Sequence, residues 1–140
     1  MKNYNILGSY LESKIPEFQG LISIKKFDGG QSNPTFLIQC KSGKYVLRSK
    51  PKGILLKSAH AIEREFKVMQ ALKNSNVPVP KMLHLCEDTK VIGADFFVMS
   101  FIEGHTLWDP ALPNFSNNER REIYNQICKV LIAIHKIDYN

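Results

Sequence analysis

Three features of this chain could together hold a polyphosphate: the glycine-rich turn Asp28-Gly29-Gly30-Gln31-Ser32-Asn33, Arg48 at the end of a β-rich run, and Glu65 within an amphipathic segment. Strand-forming residues flank the turn, ending at Phe27 and resuming at Thr35-Phe36. Two strands joined by glycines can lay backbone N–H groups over phosphate oxygens, and a cation on the following strand can neutralise them, which is the equipment of phosphoryl transfer. Gly29 and Gly30 permit positive φ and close approach to an anion, while Ser32 and Asn33 could add donors at the tip. An ordinary hairpin turn also favours Gly, Asn and Ser. The turn is neither G-x-x-x-x-G-K-[ST] nor G-x-G-x-x-G, so the P-loop and dinucleotide-binding folds are disfavoured.

Side-chain periodicity supplies the partner for Arg48. On a helical wheel at about 100° per residue, Ile62, Phe66, Met69 and Leu72 form one stripe, widened by Ala61 and Val68. Glu65 falls inside that stripe, whereas Glu63, Arg64 and Lys67 point away. A carboxylate on an apolar face is costly without a cationic partner, and Arg48 is the candidate; the alternative is that Glu65 reaches out into a surface ion pair. Strand alternation puts Lys44, Val46 and Arg48 on one face and Tyr45 and Leu47 on the other. Val46 would then lie beside a nucleotide base when Arg48 reaches the phosphates. Lys50 has the same parity as Arg48 and could share its role. Further on, the apolar run Val98-Met99-Ser100-Phe101-Ile102 ends at Glu103-Gly104; there backbone groups at Ser100 and Ile102 could bind an adenine edge, with Met99 behind it.

The elements that must carry these residues follow in order. Leu7, Leu11 and Ile15 repeat at helical spacing before Pro16. Ile22 and Ile24 alternate with polar residues as a strand, Thr35–Cys40 reads as a second, and Lys41-Ser42-Gly43 turns the chain into a third at Lys44–Arg48. A helix is expected from Ser58 to Lys73. Val77-Pro78-Val79-Pro80 must be extended. Strands follow at Met82–Cys86 and Phe96–Ile102, and Ser116-Asn117-Asn118-Glu119 has the spacing of a capping box. That box opens a helix expected to bury Ile123, Ile127, Val130, Leu131 and Ile134. The expected fold is therefore α+β: a kinase-like amino-terminal lobe with a five-stranded antiparallel sheet and a C-type helix, an N-terminal helix, and a helix after the hinge. Residues 1–103 would form the nucleotide-binding lobe, and residues 104–140 the hinge connector and the first helix of a second lobe.

Composition fits this scheme. The 140 residues are 44% hydrophobic and 23% charged, ordinary for a globular chain, and carry a formal charge of +6 weighted toward the first half. A positive field suits an anionic ligand. The lysines lack an aromatic stacking motif or recognition helix, so no nucleic-acid partner is expected. No run of about 18 apolar residues or signal-peptide core is present, which predicts no membrane partner and a cytoplasmic setting. Cys40, Cys86 and Cys128 are too scattered for a disulfide framework or zinc site and are expected to be reduced packing residues.

Taken together, the loop Phe27–Thr35, Tyr45-Val46-Leu47-Arg48, Ile62-Glu63-Arg64-Glu65, Val77–Lys81, Val98–Gly104 and Ile134–Asp138 resemble the aminoglycoside phosphotransferase and choline kinase-like family. The loop and the Val-Leu-Arg strand are most similar to the phosphotransferase domains associated with acyl-CoA dehydrogenases. The resemblance implies an ATP- and Mg²⁺-dependent kinase acting on a small-molecule hydroxyl, such as a hydroxyacyl compound, an amino alcohol or an aminoglycoside. It further implies that Gly29, Gly30 and Ser32 cover the phosphates, that Arg48 and Glu65 form the phosphate-positioning pair, and that Ser100 to Ile102 hold adenine. Arg48 stands where antibiotic-modifying members have lysine. The family's H-x-D-x-x-x-x-N loop and its metal-binding aspartate have no match in these residues. The expectation is thus a lobe that binds ATP weakly and does not turn it over, with Mg²⁺ ligands lying elsewhere and an apolar face open to self-association. A non-catalytic kinase-like module is the alternative.

Overall fold

A computed structural model of the chain describes residues 4–28, 33–51, 53 and 60–138. The elements run α1 (Tyr4–Lys14), β1 (Leu21–Lys26), β2 (Thr35–Cys40), β3 (Gly43–Ser49), α2 (Ile62–Ala71) with a 3₁₀ turn at Leu72–Asn74, β4 (Met82–Cys86), β5 (Phe96–Ser100) and α3 (Asn117–His135). The strands form one five-stranded antiparallel sheet in the order β1-β2-β3-β5-β4. This is the architecture expected from the sequence. Two compact units divide the chain: Met1–Ala71 with Pro80–Phe101, and Leu72–Val79 with Ile102–Asn140.

In the first unit, the two faces of the sheet do different work. Ile38, Cys40, Tyr45, Leu47, Phe96 and Val98 pack with Leu7 and Leu11 of α1 and with Ile15 and Phe18 just beyond its end. The four-residue spacing of those α1 residues gives one apolar stripe, and Pro16 ends the helix because it cannot donate the next hydrogen bond. The opposite face carries Phe97, Met82, Leu85 and Met99, on which α2 sets Ile62, Phe66 and Met69. Cys40 pairs with Gly43, so only Lys41 and Ser42 separate β2 from β3. Gly43 has φ of 143°, a value for which a side chain is poorly suited.

Several expectations need correction here. Ile22 is exposed rather than core-facing, because a bulge between Leu21 and Ser23 interrupts the alternation and leaves Leu21 and Ile24 to pack. The fifth strand stops at Ser100, two residues short of the apolar run. The helix expected to start at Ser58 is described only from Ile62; 54–59 lie outside the described residues. Leu72 lies in the 3₁₀ turn, and Val68 is 52% exposed, outside the contact stripe.

The second unit holds α3, opened by the expected capping box: the Ser116 side chain accepts from Glu119 N–H, and Glu119 accepts from Ser116 N–H. Its apolar stripe, however, is not buried. Ile127, Leu131 and Ile134 are about half exposed and no α3 residue is fully enclosed. Periodicity reveals which face of a helix would be covered, not whether a covering element is present. Cys128 on this helix is also exposed, unlike the buried Cys40 and Cys86. Among the described residues no helix is long and apolar enough to cross a membrane.

Two stability measurements test this packing. Leu11 is fully buried between α1 and the sheet; Leu11→Ala should cost about 2–5 kcal/mol in urea unfolding. Ile22→Ala on the bulge should change stability by less than about 0.5 kcal/mol. The Tyr10 hydroxyl lies 2.9 Å from His84 Nε2, joining α1 to β4. Burial, with Lys14 nearby, pushes His84 below its ordinary value of 6.5, and burial raises Tyr10, so the phenol and the imidazole share this hydrogen bond as neutral groups. The unfolded chain binds the His84 proton more tightly. The stability this supplies is full above about pH 6.5 and is lost as pH falls through the lowered folded value. Melting temperatures between about pH 7 and about pH 5 should fall more steeply for the wild type than for His84→Gln.

Candidate functional site

Strand alternation and register bring the chemistry-bearing side chains to the α2 face of the sheet. On β3, Val46 lies opposite Leu37 of β2 and Met99 of β5, and Arg48 lies opposite Thr35 and Phe97. An apolar row, Leu37–Val46–Met99, therefore runs beside a row in which Arg48 is the charged member. Helix α2 is anchored by Ile62 and Phe66, the latter ring 6.0 Å from that of Phe97. This seating places Glu65 over Arg48.

Arg48 Nε donates to Glu65 Oε2 at 2.7 Å, and Arg48 Nη1 donates to Thr35 Oγ1 at 3.0 Å. The two ion-pair side chains are 30% and 37% exposed, so the contact is open to solvent along one side. A pair this accessible contributes about 1 kcal/mol or less to stability. Holding α2 in place is thus mainly the task of the apolar contacts, and the pair is available for another use.

Glu65 Oε1 is occupied as well: Asn33 Nδ2 donates to it at 2.9 Å. The donor expected at the tip of the glycine turn is therefore directed inward, and Asn33 is only 4% exposed. A buried carboxamide needs partners at both ends, and these residues supply them. Asn33 Oδ1 lies 2.9 Å from His60 Nδ1, and the Asn33 carbonyl accepts from Thr35 Oγ1 at 3.1 Å. With Asn33 Nδ2 committed to a carboxylate, Oδ1 is the acceptor and the imidazole carries a proton on Nδ1.

Lys50 occupies a different cluster. Its ammonium lies 2.8 Å from Asp95 Oδ2 and 3.1 Å from Glu63 Oε2. Glu63 Oε2 is buried, and the Lys50 ammonium is its ion-pair partner. Asp95, then Glu63, raise the Lys50 pKa against the opposing effect of burial. Glu63's own backbone N–H, then Lys50, lower the Glu63 pKa, again against burial. The expectation that Glu63 points away is corrected: from the first turn of α2 its side chain reaches down to Lys50.

Gly29, Gly30 and Ser32 lie outside the described residues. Val46 is 7% exposed in mid-sheet and Met99 is half-buried beside it. Ser100 closes β5; its N–H donates to the Lys81 carbonyl and its hydroxyl accepts from Lys81 N–H. Ile102 begins the second unit and is exposed. Among the described residues no cluster of three or more His, Cys, Asp or Glu side chains forms a metal site. Thr35, Leu37 and His60 were not singled out from sequence. The first two share the parity of Arg48 and Val46 across a hairpin of known length, a signal that could have found them. His60 has none, because its partner is distant in sequence.

The family model described as "Phosphotransferase enzyme family" matches residues 23–140. Acyl-CoA dehydrogenase family member 10 of Mus musculus is 48% identical over 119 residues, covering 85% of this chain and 11% of that protein. The Arabidopsis thaliana protein named probable acyl-CoA dehydrogenase IBR3 is 47% identical over 131 residues, covering 90% of this chain and 16% of that protein. The crystal structure of a candidate aminoglycoside phosphotransferase from Ralstonia eutropha superposes with a TM-score of 0.81 at 42% identity, covering 96% of this chain and 38% of that one. The chain thus spans less than a fifth of those two curated relatives and under half of the solved neighbour. The family match over residues 23–140, together with the shared lobe architecture, places this chain in the phosphotransferase enzyme family.

Proposed function

We propose that this chain is the ATP-binding lobe of a small-molecule kinase that transfers the γ-phosphoryl group to a substrate hydroxyl. The observation carrying this reading is the Arg48–Glu65 contact, one-third exposed and set beside the apolar row Leu37–Val46–Met99. The contacts to Glu65 and Thr35 use two of the five guanidinium N–H donors, so the fork is oriented before a ligand arrives. The remaining donors suit phosphate oxygens, which arginine engages in bidentate fashion. Val46 and Met99 then line the base, and the backbone at Ser100 lies at the adenine edge. Gly29, Gly30 and Ser32 cover the phosphates in this reading.

Between the two candidate cations, charge balance favours Arg48. Lys50 already faces two carboxylates, Asp95 and Glu63, and that cluster is net negative, whereas Arg48 shares a single carboxylate. Among the described residues no three His, Cys, Asp or Glu side chains cluster, and in this reading the Mg²⁺ ligands lie elsewhere. The H-x-D-x-x-x-x-N sequence that would orient the acceptor hydroxyl is absent from these residues, so nucleotide binding without turnover is expected of them. The dehydrogenase names of the relatives support an acceptor drawn from acyl metabolism, a hydroxyacyl compound ahead of an amino alcohol or aminoglycoside.

A titration with Mg·ATP tests the assignment. Arg48→Ala and Glu65→Ala should each weaken binding about tenfold or more, the loss of a hydrogen bond to a charged group. Lys50→Ala should lower stability while leaving affinity within about threefold. If neither Arg48→Ala nor Glu65→Ala changes affinity, the nucleotide assignment is wrong.

A further inference from the structure

The contacts around Glu65 close into a ring. Asn33 Nδ2 donates to Glu65 Oε1, Arg48 Nε donates to Glu65 Oε2, Arg48 Nη1 donates to Thr35 Oγ1, and Thr35 Oγ1 donates back to the Asn33 carbonyl. His60 attaches to this ring through Nδ1 and Asn33 Oδ1. We propose that Asn33 and His60 are positioning residues: they fix the plane of the Glu65 carboxylate and, through it, the direction of the Arg48 guanidinium. The proposal rests on the reading of Arg48 as the phosphate cation.

A glutamate carboxylate rotates broadly about its last torsion, so one contact from Arg48 leaves its plane free. Gripping the second oxygen from Asn33 removes that freedom. A carboxamide can itself flip, exchanging donor for acceptor, and a flipped Asn33 would turn an oxygen toward Glu65. The His60 N–H on Oδ1 prevents this, because the flip would bring two donors together.

Burial and backbone geometry mark both residues as held in place. Asn33 is 4% exposed, one of two buried polar side chains among the described residues, and its carboxamide is satisfied at both ends. His60 has φ of 63°, in the left-handed region that a side-chain-bearing residue adopts only against steric resistance. Its carbonyl accepts from Ile62 N–H at 2.8 Å, so this conformation also opens α2. The strained residue thus joins the start of the helix that carries Glu65 to the carboxamide that orients it.

The test reads Arg48 directly, by the hydrogen exchange of its Nε–H signal in ¹⁵N-resolved NMR of the full chain, alongside Mg·ATP titration. Asn33→Asp sets two carboxylates against each other; exchange should accelerate about tenfold and affinity should fall about tenfold. The double variant Asn33→Asp with Glu65→Gln restores a donor-to-acceptor contact with the roles reversed. It should recover most of the exchange protection at Arg48 Nε, because a carboxamide at position 65 still offers that N–H an acceptor. Affinity is not the readout for this variant, which lacks the Glu65 charge. His60→Ala, milder and still folded, should accelerate exchange about threefold. An unchanged Arg48 signal in Asn33→Asp, or a double variant that protects it no better than the single, overturns the proposal. If Asn33→Asp does not fold, an Arg48 signal unchanged in His60→Ala overturns it and an accelerated one supports it. Should the Arg48 signal respond as expected while the wild type takes up no Mg·ATP, the ring stands and the nucleotide reading falls. Should Mg·ATP binding depend on Arg48 but not on Asn33, the ring falls and the nucleotide reading stands.

Discussion

The contact between Arg48 and Glu65 joins two elements that the chain builds independently, a central strand and a helix laid across it. Neither could place its charge without the other. The strand fixes the guanidinium through its hydrogen-bonded neighbours, and the helix fixes the carboxylate through Ile62 and Phe66 packed on Phe97. The charges themselves contribute little to holding the helix, because roughly a third of each side chain meets water. Apolar packing supplies the stability and leaves the ion pair free to serve a ligand. That division of labour explains why two opposite charges can stand at the edge of a core without large desolvation cost.

The same strand end supports a second cation in a different electrostatic setting. Lys50 is two residues from Arg48 and on the same face by alternation, yet it is enclosed by Asp95 and Glu63. Helix α2 therefore meets the strand at two points, Glu63 on Lys50 and Glu65 on Arg48. The first contact is charge-saturated and structural. The second is open. Two carboxylates two residues apart do not share a helix face, and both reach the strand because Glu63 lies in the first turn, beside the strand end.

Much of the fold was legible because it follows from periodicity. The α1 stripe, the strand alternation and the Ser116–Glu119 capping box each express a local rule, and each recurs in the structure. Glu65 was legible for the same reason: an acid inside an apolar stripe needs a counter-charge. What periodicity could not supply was long-range. Asn33 reads as a turn residue, and only the packing of α2 reveals that its amide turns inward to Glu65. His60 carries no pattern of its own. Glu63 was misjudged because a wheel treats every turn alike, whereas the first turn of a helix lies near other elements. The apolar stripe of α3 was identified correctly as a stripe and wrongly as buried, since coverage depends on what lies opposite.

The brevity of the connection between β2 and β3 has a consequence for how this site can vary. Only Lys41 and Ser42 lie between the paired residues Cys40 and Gly43, and counting outward from them sets Thr35 against Arg48 and Leu37 against Val46. Adding one residue there would shift the count by one. Tyr45 and Leu47 would then exchange faces with Val46 and Arg48, putting the guanidinium among the α1 side chains. Length changes elsewhere on the surface cost little, but this turn acts as a ruler, and the chemistry is measured from it.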